Sequence, residues 1–208
     1  MRSNDYCVLI NEISVHADLS ELASGFCNDM VVDKIGRAYV GNFGFDIHNN
    51  APRKTPKLFW SNLTVHLACQ RRSVIPQRYS DHPRRPYIDR GRNHCRPVEA
   101  FDIEANGDLT NRRLWARLPE GAVPDGICLG AQGGIWSASP STNNCIRQVE
   151  GGEVTHEIAL ERGAFACMIG DDQLFVLTST TSHPEKCKTR RDARVEVYPA
   201  PHPAAGLP

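Results

Sequence analysis

The sequence predicts an all-β fold, on three observations: short β-type runs end repeatedly in Gly, Asp or Asn turns, helical periodicity is almost absent, and one hairpin pattern recurs at a fixed offset. With 208 residues, 40% hydrophobic and 23% charged, the chain falls in the globular range and can bury one sizeable core or two small ones. In chain order, ADLSELASGF (17–26) is the one stretch with a helical pattern, and it is short. MVVDKIGRAYVGN (30–42) then sets an apolar run, a Gly-containing turn and a second apolar run in succession, the signature of a hairpin. The same signature returns in VEAFDIEANGDL (98–109), GICLGAQGGIWSAS (126–139), CIRQVEGGEV (145–154) and DDQLFVLTS (171–179).

Two of these hairpins are copies of one unit. Laying Asn28–Asn42 over Asp125–Ser139 puts Asn28 on Asp125, Val31 on Cys128, Gly36 on Gly133 and Tyr39 on Trp136, an offset of 97 residues. Divided over two units the period is about 48, close to the ~40–50 residues of a four-stranded propeller blade. A third copy is due near residue 77.

What stands there is foreign to its neighbours. Residues 53–97 carry 11 of the 24 Lys and Arg against two acids, Asp81 and Asp89, a local balance of +9 in a chain of net charge zero. Such a block is either a phosphate-binding footprint, a disordered basic loop, or sequence read in the wrong frame. Writing Pro76–Cys95 as degenerate codons and starting one base later gives a string compatible with PNGTVITPDGRTLIVAETIA, a blade with a PDG turn. Its Asn falls across Gln77 and Arg78, 49 residues after Asn28 and 48 before Asp125. A second shift, from the third base of Lys57, permits ALLVEPDG. The expectation is therefore that about residues 50–97 are out of frame and irregular. The sequon at Asn62 and the histidines His66, His82 and His94 inside the block are discounted with it, and nucleic-acid binding is not expected.

The eight cysteines (7, 27, 69, 95, 128, 145, 167, 187) include no CxxC pair, which argues against a zinc knuckle and for reduced, structural thiols. MRSNDYCVLINE has no signal-peptide pattern and no run spans a membrane, so a cytoplasmic protein without membrane partners is expected.

CNDMVVDKIGRAYVGNFGFD, AFDIEANGDLTNRRLWARLPEGAVPDGICLGAQGGIW, GAFACMIGDDQLFVLT, VEV and the terminal AAGLP together resemble the senescence-marker-protein/gluconolactonase/luciferin-regenerating-enzyme family, over residues 15–49 and 98–208. The resemblance implies a six-bladed β-propeller that holds one divalent metal, calcium or zinc, and hydrolyses a small sugar lactone. Carried over residue by residue, the resemblance implies that Asp125 of PDGICL is a metal ligand and the general base, and that Asn28 of the ND pair is a substrate-binding residue and a metal ligand. The family's other two ligands have no position here: the Asn of its FPNG turn is the one lost across Gln77 and Arg78, and its first-blade Glu would precede Met1. Oxygen donors suit a hard cation, which polarises the lactone carbonyl while the carboxylate takes a proton from water.

A ring of six ~48-residue blades needs roughly 290 residues. The expectation is thus a single partial domain over 1–208, N-terminally truncated, with about four blades, low stability and weak or lost metal binding. The alternative to a lactonase is an inactive propeller remnant. Plainer readings stand beside each residue. PDG is first a tight turn in which Gly supplies an unusual dihedral, and Asn28 can bond its own backbone. Tyr39 and Trp136 read as packing aromatics, Arg162, Phe165, Cys167 and Met168 as packing or channel lining, and His16 and His156 as surface residues.

Overall fold

The computed structural model describes residues 4–9, 12–19, 27–32, 37–42, 73–75 and 97–205. Among them, β1 (Asn4–Leu9) pairs with β2 (Glu12–Asp18), and β3 (Cys27–Val32) with β4 (Ala38–Asn42), both antiparallel. A three-stranded sheet follows in the order β5 (Ser73–Ile75), β6 (Pro97–Ile103), β7 (Leu109–Arg117). Next comes a four-stranded antiparallel sheet of β8 (Ile127–Leu129), β9 (Ile135–Ser139), β10 (Asn144–Gln148) and β11 (Val154–Ala159), each beside the next. The last sheet is β12 (Gly163–Gly170), β13 (Gln173–Ser179) and β14 (Arg194–Pro199), again antiparallel. The α-helical content of the described residues is one turn, α1 (Pro184–Cys187).

Strand–turn–strand segments of the sequence fold where their patterns place them. MVVDKIGRAYVGN forms β3 and β4, VEAFDIEANGDL β6 and the start of β7, GICLGAQGGIWSAS β8 and β9, and CIRQVEGGEV β10 and the start of β11. DDQLFVLTS differs: its acidic pair is the turn out of β12, with Asp171 at φ 53°, and the run after it is β13. Between β1 and β2 the sequence carries Asn11, a turn residue of the same kind, although this pair was not among the hairpins read from the sequence. Of the helical candidate 17–26, Ala17 and Asp18 close β2 and residues 20–26 lie outside the described residues. So does the basic segment expected to be out of frame, apart from β5 and Pro97, and with it Asn62, His66, His82 and His94.

Two compact units emerge. Within the first, which takes in the described residues up to Ser73 and Asp102–Thr110, Tyr39 is 2% exposed and its hydroxyl donates to the Gly107 carbonyl at 3.0 Å. Arg37 donates to the Ala105 carbonyl at 3.1 Å. Both acceptors sit in the β6–β7 turn, which closes on a Glu104 N–H bond to the Asp108 carbonyl and a positive-φ Gly107.

The second unit runs from Asn111 onward and includes Pro97–Phe101. The inner strands β9 and β10 of its four-stranded sheet are buried on both faces, whereas β11 is exposed. Trp136, Ala138 and Cys145 on one face pack with Cys167, Ile169, Leu174 and Val176 of the last sheet. Ile135 and Ile146 on the other pack with Val98, Ala100, Trp115 and Leu118. That is why all five residues of β9, polar Ser137 and Ser139 included, are buried. Each fully buried aromatic or branched side chain contributes about 2 kcal/mol. The opposite face of the last sheet leaves Met168, Leu177, Val195 and Val197 exposed.

No helix of the described residues is long and apolar enough to cross a membrane.

Candidate functional site

The internal repeat reappears as strand register. In the first copy Met30 pairs with Val40, Val31 with Tyr39 and Val32 with Ala38. In the second, Ile127 pairs with Ser137, Cys128 with Trp136 and Leu129 with Ile135. Every pair is displaced by the same 97 residues, so two stretches that were aligned as text form the same hairpin. Asn28 and Asp125 hold one position in it, three residues before the Val31–Tyr39 and Cys128–Trp136 pairs. Asn28 belongs to the first unit, on β3, where the pairing is irregular between Cys27 and Met30. Asp125 belongs to the second, half-buried at the entry to β8.

Asp125 is fixed by its backbone. Its N–H donates to the Ala138 carbonyl at 2.8 Å, the next N–H, Gly126, donates to the Phe165 carbonyl at 2.9 Å, and the Gly126 carbonyl accepts from Ala138 at 3.0 Å. The carboxylate-bearing residue is thus stitched to β9 on one side and β12 on the other. Gly126 does not need an unusual dihedral, since its φ is not in the left-handed region; a Cβ there would meet the Ala166 Cα at 2.7 Å. The glycine of PDG is a close-approach residue, which corrects the turn-dihedral expectation.

Polar groups hold the loop that leads to Asp125. Val123 N–H donates to Ser139 Oγ at 3.1 Å, and Ser141 Oγ donates to the Gly121 carbonyl at 2.7 Å. Thr142 Oγ1 lies 2.6 Å from both Ser139 Oγ and Asn144 Oδ1, and Asn144 Nδ2 donates to Glu157 Oε1 at 2.7 Å. These residues were not candidates from sequence, although the density of Ser, Thr and Asn in SPSTNN (139–144) was a signal for them.

Trp136 is 1% exposed and, like Tyr39, a packing aromatic. Cys167 is buried, Phe165 half-buried and Met168 exposed, while Arg162 donates to the Asp192 carbonyl at 2.5 Å. His156 lies on the exposed strand β11, its ring 6.2 Å from that of Trp136; the side chain of His16, on β2, lies outside the described residues.

Cys128, Cys145, Cys167 and Cys187 are free thiols. Cys128 Sγ is 3.8 Å from Cys167 Sγ. The hydrogen bond with Cys167 and burial push the Cys128 thiol far up. For Cys167 the Cys128 bond acts downward, but the Cys145 thiol and full burial outweigh it and the net direction is up. Thiols held protonated in a core are packing groups rather than nucleophiles.

One half-buried carboxylate is not by itself a hard-cation site, which takes six to eight oxygen ligands for calcium. Among the described residues no three His, Cys, Asp or Glu side chains group so as to hold a metal ion. The described residues therefore do not fit the metal that the resemblance implies, and no chemical step is routed through one.

The SMP-30/gluconolactonase/LRE-like region matches residues 7–182 of the chain. No curated protein matches it. Among solved structures, regucalcin from Agrobacterium tumefaciens, described as a calcium-binding protein, aligns with a TM-score of 0.54 at 14% identity, covering 94% of this chain and 70% of that one. A gluconolactonase from Xanthomonas campestris aligns with a TM-score of 0.38 at 18% identity, covering 81% and 73%. The regucalcin likeness carries the fold: an all-β architecture of the β-propeller class.

Proposed function

The chain belongs to the SMP-30/gluconolactonase/LRE-like family, and from that premise we propose that it is a hydrolase of small sugar lactones in which Asp125 is the general base. The observation that supports this reading is the placement of Asp125: a half-buried carboxylate at a strand entry, its backbone held on two sides, at the hairpin position that Asn28 occupies in the other copy. A carboxylate so held accepts a proton from water as that water attacks the lactone carbonyl, and returns it to the ring oxygen as the ester bond breaks. Proton transfer by a positioned base accounts for about 10²–10⁴ in rate. Asn28, a carboxamide, suits the hydroxyl-rich body of a sugar lactone with a donor and an acceptor on one group.

Asp125 is the one described carboxylate that matches a ligand of the family's divalent metal, which when bound would supply a Lewis acid for the carbonyl; a single oxygen ligand does not hold calcium. The substrate class follows from the family and the acyl chemistry from a carboxylate base; neither selects one lactone among many.

Hydrolysis of gluconolactone by the purified chain, followed by proton release with and without added calcium, is the test. Asp125→Asn, which keeps size and removes the base, is expected to lower kcat by about 10²-fold or more. No hydrolysis by the wild-type protein would favour the non-catalytic remnant instead.

A further inference from the structure

From the hydroxyl network beside the Asp125 loop we infer that Ser139 and Thr142 are positioning residues: a directed hydrogen-bond chain, anchored on Glu157, holds the loop that presents Asp125. The inference rests on the lactonase reading for its catalytic consequence, but the chain itself stands on geometry.

The direction of each bond follows from counting protons. A carboxylate oxygen of Glu157 only accepts, so the Asn144 group 2.7 Å from Oε1 is its NH₂, and Oδ1 therefore faces Thr142. Oδ1 also only accepts, so the single proton of Thr142 Oγ1 goes to it across 2.6 Å. Ser139 Oγ, 2.6 Å from Thr142 Oγ1 on the other side, must then donate to Thr142. Ser141, 3.2 Å from Ser139, spends its own proton on the Gly121 carbonyl. What remains for Ser139 is to accept, and the Val123 N–H fills that place. The result is one sequence of donors: Val123 N–H to Ser139, Ser139 to Thr142, Thr142 to Asn144, Asn144 to Glu157. Hydrogen bonds aligned this way strengthen one another, and the anionic end fixes their sense.

Its mechanical effect reaches Asp125 through one residue. Val123 is joined to Asp125 by Pro124, whose ring fixes φ, so a shift of Val123 is passed on with little slack. Ser139 is 2% exposed, so no water replaces its hydroxyl, and the loop has a second hydroxyl tether at Gly121. A carboxylate acting on a reacting water needs placement to better than about 1 Å, a displacement that can cost about 10²-fold.

The test uses Thr142→Val, which keeps shape and deletes the hydroxyl, and Thr142→Ser, which restores it. Amide exchange of the full-length protein by NMR is expected to show Val123 exchanging about tenfold faster in Thr142→Val and near the wild-type rate in Thr142→Ser. With gluconolactone, kcat of Thr142→Val is expected to fall about tenfold with KM within twofold, and Thr142→Ser to recover it. A Val123 exchange rate in Thr142→Val within twofold of wild type overturns the chain. Faster exchange with unchanged kcat overturns its role in positioning. If the wild-type protein hydrolyses no lactone, the lactonase reading fails, and the exchange comparison still decides the clamp.

Discussion

A methyl group at position 126 would sit 2.7 Å from the Ala166 Cα, 3.0 Å from its Cβ and 3.1 Å from the Phe165 carbonyl oxygen. All three neighbours are backbone or first side-chain carbon, so none can swing away as the end of a long side chain would. The contact is also the seam with β12 that carries the Gly126 N–H bond to Phe165, while one residue earlier the Asp125 N–H bonds Ala138 on the opposite side, on β9. Gly126→Ala is therefore expected to destabilise the fold by about 1–3 kcal/mol, the range for inserting atoms into a packed site. A lowered urea midpoint at constant slope would show it, and an unchanged midpoint would mean that β12 gives way more easily than its pairing suggests. The same substitution moves Asp125 away from β12, so any hydrolytic activity should fall further than stability alone accounts for.

Strand β14 carries a coupled titrating pair of the second unit, Glu196 and Tyr198. Glu196 accepts from Thr178 Oγ1 at 2.6 Å and from the Tyr198 hydroxyl at 2.7 Å. The Thr178 bond, then the Tyr198 bond, hold its carboxyl below the ordinary value of 4.5. A group with a lowered folded pKa stabilises above its unfolded value and loses that contribution as pH falls through the folded one. Tyr198 shifts the other way: the bond to Glu196 and burial push it from 10.0 up to about 12, so its contribution is complete below pH 10.0 and lost as pH rises through about 12. The thermal midpoint should thus fall at both ends, in acid below about pH 4.5 and in alkali between about pH 10 and 12. Glu196→Gln should flatten both limbs, since one carboxylate causes both shifts; an alkaline limb untouched in this variant would contradict the coupling. At this scale the sequence was legible where structure is local. Hairpins with a Gly or Asn turn between two apolar runs, such as 126–139, are decided within a dozen residues, and copying one hairpin 97 residues away doubled the signal. Glu196 pairing with Thr178, or Ser139 reaching back to Val123, depends on which strands become neighbours, and no local pattern encodes that. Asp125 was found through its family motif and its repeat position, whereas the reason for its glycine appears only once β12 lies against β8.

For the molecule as a whole, the matched registers of β3–β4 and β8–β9 fix a spacing that the rest of the chain must answer to. Two hairpins of the same register 97 residues apart leave room for one more unit of about 48, beginning near residue 77. The residues there, mostly outside those described, are Arg- and Pro-rich, with 11 basic and two acidic side chains between 53 and 97. A blade strand wants alternating apolar and β-branched residues instead. We expect the coding DNA for Pro76–Cys95, read one base later, to spell PNGTVITPDGRTLIVAE, with base insertions or deletions between about residues 50 and 97 that leave, shift and restore the frame. Codons that cannot spell that string would refute the expectation, and the basic segment would then need a role of its own, first tested as salt-dependent DNA affinity. If the string is present, restoring the frame removes a local surplus of positive charge and supplies a third copy of the sequence repeat. Its Asn would fall at the position that Asn28 and Asp125 hold in their own copies, giving a third oxygen donor in the same repeat register.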